Sequence, residues 1–146
     1  MTKIEEAIDI SAPLEKVYAF AGDWRNLKRY FLYVHDIKSV NEKVIGVGAR
    51  YILRVKFLGR MMTSDWECIE FLEKGGWTFT ATLMGGKASK KWHFISENGS
   101  TRVIFTMEYK PSPPVIGNII DILLIRPQWK KIYKRAFAEL KRLIEA

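Results

Sequence analysis

The stretch WKKIYKRAFAELKRLI, residues 129–144, decides the architecture. Trp129, Ile132, Tyr133, Ala136, Phe137, Leu140, Leu143 and Ile144 recur at i, i+3, i+4 spacing, which predicts a helix with one wide apolar stripe. Lys130, Lys131, Lys134, Arg135, Lys141 and Arg142 take the opposite side. Such a stripe must be covered by another layer. Pro127, just upstream, predicts a kink or interruption of the helix near Ile125.

The covering layer is written in a period of two. From Phe31 to Tyr109 apolar and polar residues alternate in short runs. Tyr51, Leu53, Val55 and Phe57 alternate with Arg50, Arg54 and Lys56. Trp66 and Cys68 share one parity, opposite to Asp65 and Glu67. Trp77 and Phe79 alternate with threonines, Trp92 and Phe94 flank His93, and Phe105, Met107 and Tyr109 continue from Val103. Glycine-containing turn signals punctuate these runs, with Asn98-Gly99 the clearest two-residue hairpin. Six strands result, and Ile4, Ile8 and Ile10 predict a seventh at the N-terminus. PSPP at 111–114 stops the last strand.

Between the first strand and the rest, SAPLEKVYAFAGD predicts a short helix. Pro13 suits its first turn, Ser11 is a candidate cap, and Val17, Phe20 and Ala21 lie on one face. Asp23 is placed to cap a second short helix, Trp24 to Tyr30. The class is therefore α+β. A seven-stranded antiparallel sheet has one apolar face, and only the C-terminal helix is long enough to cover it. The sheet must curl around that helix, which leaves a cavity between them.

Composition narrows the function. The 146 residues make one domain, 1–146, with 48% hydrophobic and 13% aromatic residues. A single cysteine excludes an internal disulfide and any multi-cysteine metal site. The N-terminus carries acidic residues where a secretion signal needs an apolar run, and the apolar run Ile119–Ile125 is broken by Asp121, so a soluble, cytoplasmic protein is expected. The net charge is +8, and residues 110–146 hold +5 of it against +3 for the preceding 109. That excess reads as the solvated side of the C-terminal helix. Nucleic-acid binding is not expected, because the aromatics fall on the parity opposite to Arg50, Arg54 and Lys56.

The aromatic set is the strongest functional signal. The expected ligand-binding residues are Tyr51, Leu53, Val55 and Phe57 on one strand, and Trp66 and Cys68 on the next. Trp77 and Phe79 follow, then Trp92 and Phe94, then Phe105, Met107 and Tyr109; Trp129 and Tyr133 face them from the helix. Ligand pockets are mostly apolar with a few polar groups, and the Tyr hydroxyls and Trp indoles would orient a ligand. His35 and His93 lack partners at metal-ligand spacing, and no metal, cofactor or catalytic residue is expected. Ile69 and Phe71 imply a parity slip at Glu70, as at a bulge. Val115 to Ile125 is apolar nearly all round and precedes Arg126 and Lys130, a pattern that fits an interior helix half, a dimer contact or a peripheral membrane contact. Oligomeric state is not set by these patterns.

The signature SAPLEKVYAFAGDWRNLKRY, 11–30, together with the order of elements, resembles the SRPBCC or START-like superfamily, the helix-grip fold. Within it the chain is similar to the polyketide cyclase/dehydrase and coenzyme-Q-binding-like group. The matching positions are Ile10, Ala12, Pro13, Glu15, Val17, Tyr18 and Phe20, the run Asp23 to Tyr30, Trp66-Glu67, and Gly99, Thr101 and Val103. The resemblance covers the whole chain. It implies a single START-like domain that binds, and in some members transports, a hydrophobic small molecule such as a lipid, isoprenoid quinone or polyketide-like compound. A binding module rather than an enzyme is the expectation. The rivals are a cyclase or dehydratase working in the same cavity, and a membrane-surface or interaction module using the basic helix. The matching residues are structural, so none carries over as catalytic.

Overall fold

The computed structural model describes residues 2–110 and 120–146. The chain order is β1 (Thr2–Ile10), α1 (Leu14–Gly22), α2 (Trp24–Tyr30), β2 (Val34–Ser39), β3 (Arg50–Phe57), β4 (Arg60–Leu72), β5 (Gly76–Leu83), β6 (Gly86–Glu97) and β7 (Ser100–Tyr109). A widened, π-helical turn at Asp121–Ile125 then runs into α3 (Arg126–Glu145). All seven strands form one antiparallel sheet in the order β1-β7-β6-β5-β4-β3-β2. β1 thus crosses the molecule to pair with β7, and the rest is a meander. The architecture is the α+β helix-grip fold, with the curved sheet closed around α3.

Local chemistry explains the elements. Asp23 caps α2 by accepting from the Arg25 backbone N–H at 2.9 Å. Ser11 does not cap α1: Pro13 occupies that position in extended geometry, and the Ser11 N–H donates instead to Glu145 Oε2 at 2.7 Å. The Asn98-Gly99 hairpin forms with both residues at positive φ, as a tight turn requires. The β4–β5 register shifts between Cys68 and Glu70, which is the bulge expected there. Gly76 is obligatory, because a Cβ on it would lie 1.9 Å from the Trp92 carbonyl oxygen.

Pro127 causes no break. It sits in the first turn of α3, where its missing N–H costs little, and the expected interruption takes the form of the widened turn before it. The helix buries Trp129, Ile132, Tyr133, Ala136, Phe137, Leu140 and Ile144 against the sheet. Its basic residues Lys130, Lys131, Lys134 and Arg135 face solvent.

Both ends of α3 are tied to the sheet. At the start, Asp121 is buried and accepts hydrogen bonds from Thr2 Oγ1 of β1 at 2.6 Å, Tyr109 OH of β7 at 2.5 Å and Arg126 at 3.1 Å. Burial alone would raise the Asp121 carboxyl, but these three donors and the guanidinium charge outweigh it and hold the group below the usual carboxylate range. At the far end Lys141 donates to the Asp9 carbonyl at 2.5 Å and to Glu145 at 2.6 Å.

Candidate functional site

The alternation of β6 places one residue of unexpected type inside. Ala88, Lys90, Trp92 and Phe94 point inward, while Lys91 and His93 point out. Lys90 is only 7% exposed. Its Nζ lies 4.2 Å from the ring centre of Trp66, 5.3 Å from Phe31 and 5.8 Å from Tyr133. Ring faces attract a cation, but they replace only part of the hydration it loses. Loss of water, with no charged partner to offset it, pushes the Lys90 amine down to about 7.

Lys90 borders an internal cavity of about 40 Å³ between sheet and helices. Ala21, Gly22, Trp24, Leu27, Tyr30 and Phe31 close it from α1 and α2, and Val44 closes it from the β2–β3 loop. The sheet contributes Tyr51, Trp77, Phe79, Trp92 and Phe105, and α3 contributes Tyr133, Ala136 and Phe137. A space of this size holds a few water molecules at most. Gly22, Trp24, Val44, Tyr51 and Phe79 are the half-buried members, so they mark the side nearest solvent. At Gly22 a Cβ would come within 2.7 Å of Ile45 and 3.1 Å of Trp77, so the end of α1 lies tight against both.

The polar side chains that the described residues place on this lining are one amine, indoles and phenols, with no carboxylate among them. The Trp24, Trp77 and Trp92 indoles and the ammonium form of Lys90 only donate, and the hydroxyls of Tyr30, Tyr51 and Tyr133 both donate and accept. Tyr133 OH and Trp24 Nε1 are buried with no hydrogen-bond partner. Tyr30 OH donates weakly to the Ala21 carbonyl, at 3.4 Å. Burial raises all three phenols, so they keep their protons at neutral pH.

Six of the residues named from the sequence meet at this cavity: Tyr51, Trp77, Phe79, Trp92, Phe105 and Tyr133. Leu53, Val55, Phe57, Trp66, Cys68, Phe94, Met107 and Trp129 are buried in the surrounding core. Phe57 and Trp129 pack together, with ring centres 4.4 Å apart. Trp66 reaches the site indirectly, through its ring beneath Lys90, while its indole N–H donates to Ser64 at 2.7 Å. The Tyr109 hydroxyl is spent on Asp121 rather than turned to the cavity. Burial raises the Cys68 thiol, whose hydrogen is donated to the Glu70 carbonyl. That chemistry is inert.

Lys90 is absent from the set expected from sequence, although it has the parity of Trp92 and Phe94. Extending their alternation two residues back finds it. Glu70, Arg54 and His93, the groups an enzyme reading would want inside, are exposed. Among the described residues no three His, Cys, Asp or Glu side chains cluster as a metal site, and no helix is long and apolar enough to cross a membrane. The outer face of the sheet carries a wider hollow bordered by Arg50, Asp65, Lys87 and Glu108. It is open to water, and Arg50 pairs with Asp65 there at 2.5 Å, so it offers little desolvation to a ligand.

Comparison with known proteins follows the fold. The profile of the family described as "Polyketide cyclase / dehydrase and lipid transport" matches residues 1–145. Among solved structures, one from Thermus thermophilus superposes with a TM-score of 0.84 at 21% identity, over 98% of this chain and 97% of that one. An aromatase/cyclase from Streptomyces sp. R1128 gives 0.81 at 13% identity, over 99% and 93%. A major latex-like protein from Panax ginseng gives 0.77 at 12% identity, over 99% and 98%. A search of curated proteins returned no match.

The buried amine makes stability depend on pH. Between about 7 and the ordinary 10.5 the unfolded chain holds a proton that folded Lys90 has released, so stability rises with pH across that window. Below it both states are protonated and the burial cost is carried in full. Lys90→Met removes that cost. The variant is expected to be more stable than wild type at pH 6 by roughly 2–5 kcal/mol, with a flatter profile from pH 7 to 10 in urea unfolding. A variant less stable at pH 6 contradicts the assignment.

Proposed function

The chain belongs to the polyketide cyclase/dehydrase and lipid transport family, and from that premise we propose that it binds a hydrophobic small molecule in the cavity between the sheet and α3. Lipids, isoprenoid quinones and polyketide-like compounds are the candidate classes. The observation that carries this reading is two buried polar atoms without hydrogen-bond partners, Tyr133 OH and Trp24 Nε1, set beside the buried amine of Lys90 among aromatic rings at the cavity. Buried polar groups are ordinarily satisfied within the fold, and those left open in a pocket are satisfied by what enters it.

The driving force is transfer of apolar ligand surface out of water, about 25 cal/mol per Å². The cavity measures about 40 Å³, so a ligand larger than a few water molecules has to widen it. On this reading entry displaces the half-buried lining residues Trp24, Val44, Tyr51 and Phe79, and a ligand that fits only the widened form selects it. A cyclase or dehydratase in the same space would draw its proton transfers from Lys90 and the tyrosines, since a lysine titrating near 7 can serve as either acid or base. Residence in the cytoplasm fits this reading.

Transport requires a meeting with a bilayer. Ile122, Leu123 and Leu124 in the turn before α3 are more than half exposed. Lys130 and Lys131 follow one to two turns later, also exposed. Apolar side chains beside lysines suit an anionic membrane surface. The remainder of the expected contact segment, residues 115–119, lies outside the described residues.

Native mass spectrometry of protein purified from its own host tests the binding reading directly, and a co-purifying hydrophobic compound is the expected result. Ligand-free protein with no thermal shift against a panel of lipids, quinones and aromatic polyketides overturns it. For the membrane contact, sedimentation with vesicles containing anionic phospholipid should exceed that with zwitterionic vesicles. Leu123→Glu should abolish the difference, and equal sedimentation of the two proteins removes the turn from the account.

A further inference from the structure

The ligand's polar end is legible in the cavity's polar groups. Trp24 Nε1 and the ammonium form of Lys90 can donate and cannot accept. Tyr51 and Tyr133 keep their phenolic hydrogens. Among the described residues no carboxylate, side-chain amide or imidazole lines the cavity, so the enclosed lysine has no anion of the protein's own. Trp66, Phe31 and Tyr133 hold its charge by ring faces alone.

An ammonium in apolar surroundings is stabilised most by an anionic oxygen that both neutralises it and accepts its hydrogens. A carboxylate does this with two oxygens, leaving lone pairs for neighbouring hydroxyl or indole donors. An ester, alcohol or hydrocarbon supplies acceptors at best and leaves the charge uncompensated. We infer that the cavity takes a hydrophobic monocarboxylic acid, with the carboxylate on Lys90 and an aliphatic or aromatic body among Trp77, Phe79, Trp92 and Phe105. This rests on the ligand-binding reading and sharpens it: Lys90 selects the head group, and the rings accept the body with little discrimination.

The surroundings of Lys90 support an acid in preference to other partners. The titratable groups that line the cavity with Lys90 are neutral phenols, Tyr30 from α2, Tyr51 from β3 and Tyr133 from α3. None carries a charge that would neutralise the ammonium or repel a carboxylate. The carboxylates of the neighbouring strands do not enter the cavity: Glu97 on β6 and Glu67 and Glu70 on β4 are exposed.

The test compares dodecanoate and 2-naphthoate with their methyl esters, titrated at pH 7 into wild type and Lys90→Met by calorimetry or tryptophan fluorescence. Circular dichroism and a thermal melt first establish that the variant is folded. In wild type each acid is expected to bind at least tenfold tighter than its ester, since losing a charged hydrogen-bond partner in a buried site has at least that effect. In Lys90→Met the preference should vanish while ester binding persists. Equal affinity for acid and ester in wild type, or an acid preference that survives the substitution, overturns the head-group assignment and leaves hydrophobic binding standing. If neither acids nor esters bind, the assignment falls, and if the wider apolar panel fails as well the ligand-binding reading falls with it. As a second readout, the Lys90 side-chain resonance should move to the charged form on adding acid and stay unchanged with ester; no movement with bound acid counts against the pairing.

Discussion

One helix has to cover a seven-stranded sheet, and the rest of the molecule is arranged around that mismatch. A helix stripe is narrow and a sheet face is broad. The sheet curls, aromatic side chains fill what the helix does not reach, and α1 and α2 close the remaining side. Trp92 stands at the centre, with ring contacts to Phe105 at 5.5 Å and Phe137 at 5.1 Å. The small cavity lies where this filling is incomplete. The helix keeps its place because both ends are fastened by polar groups to the sheet, Asp121 to Thr2 and Tyr109 at one end, and Lys141 to the Asp9 carbonyl at the other.

Within that frame Lys90 is an exception to the chemistry that builds the fold. A methionine or leucine there would fill the same volume without the loss of hydration. The protein is therefore less stable near neutral pH than its aromatic core allows. Such a departure from local consistency is characteristic of functional sites. It also joins the two halves of the functional account. The rings confer affinity for apolar surface in general, and the amine makes one end of the ligand distinguishable from the other.

The architecture was legible because it depends on periodicity. The i, i+3, i+4 stripe from Trp129 to Ile144 and the alternation on each strand are local patterns, and each appears in the structure as buried and exposed faces. The slip at Glu70 and the Asn98-Gly99 turn were equally local. Lys90 was hidden by its type: a lysine in KASKKWHF reads as solvated unless the parity of Trp92 and Phe94 is carried back to it. Asp121 read as a break in an apolar run because its partner Thr2 lies 119 residues away and Tyr109 on another strand. No pattern along the chain reports such a pairing. The choice of which aromatics face the cavity also depended on the approach of α1, α2 and the Val44 loop, which have no period linking them to the sheet.

The central claim is that Lys90 carries an enclosed amine without a counter-ion. It is tested most directly by titrating the lysine Cε resonances of ¹³C-lysine-labelled protein from pH 5 to 11, with Lys90 assigned by its loss in Lys90→Arg. The account predicts one lysine that titrates near 7, well separated from the others. A Lys90 that titrates with the rest near 10.5 would show an ammonium in contact with water, and would contradict it.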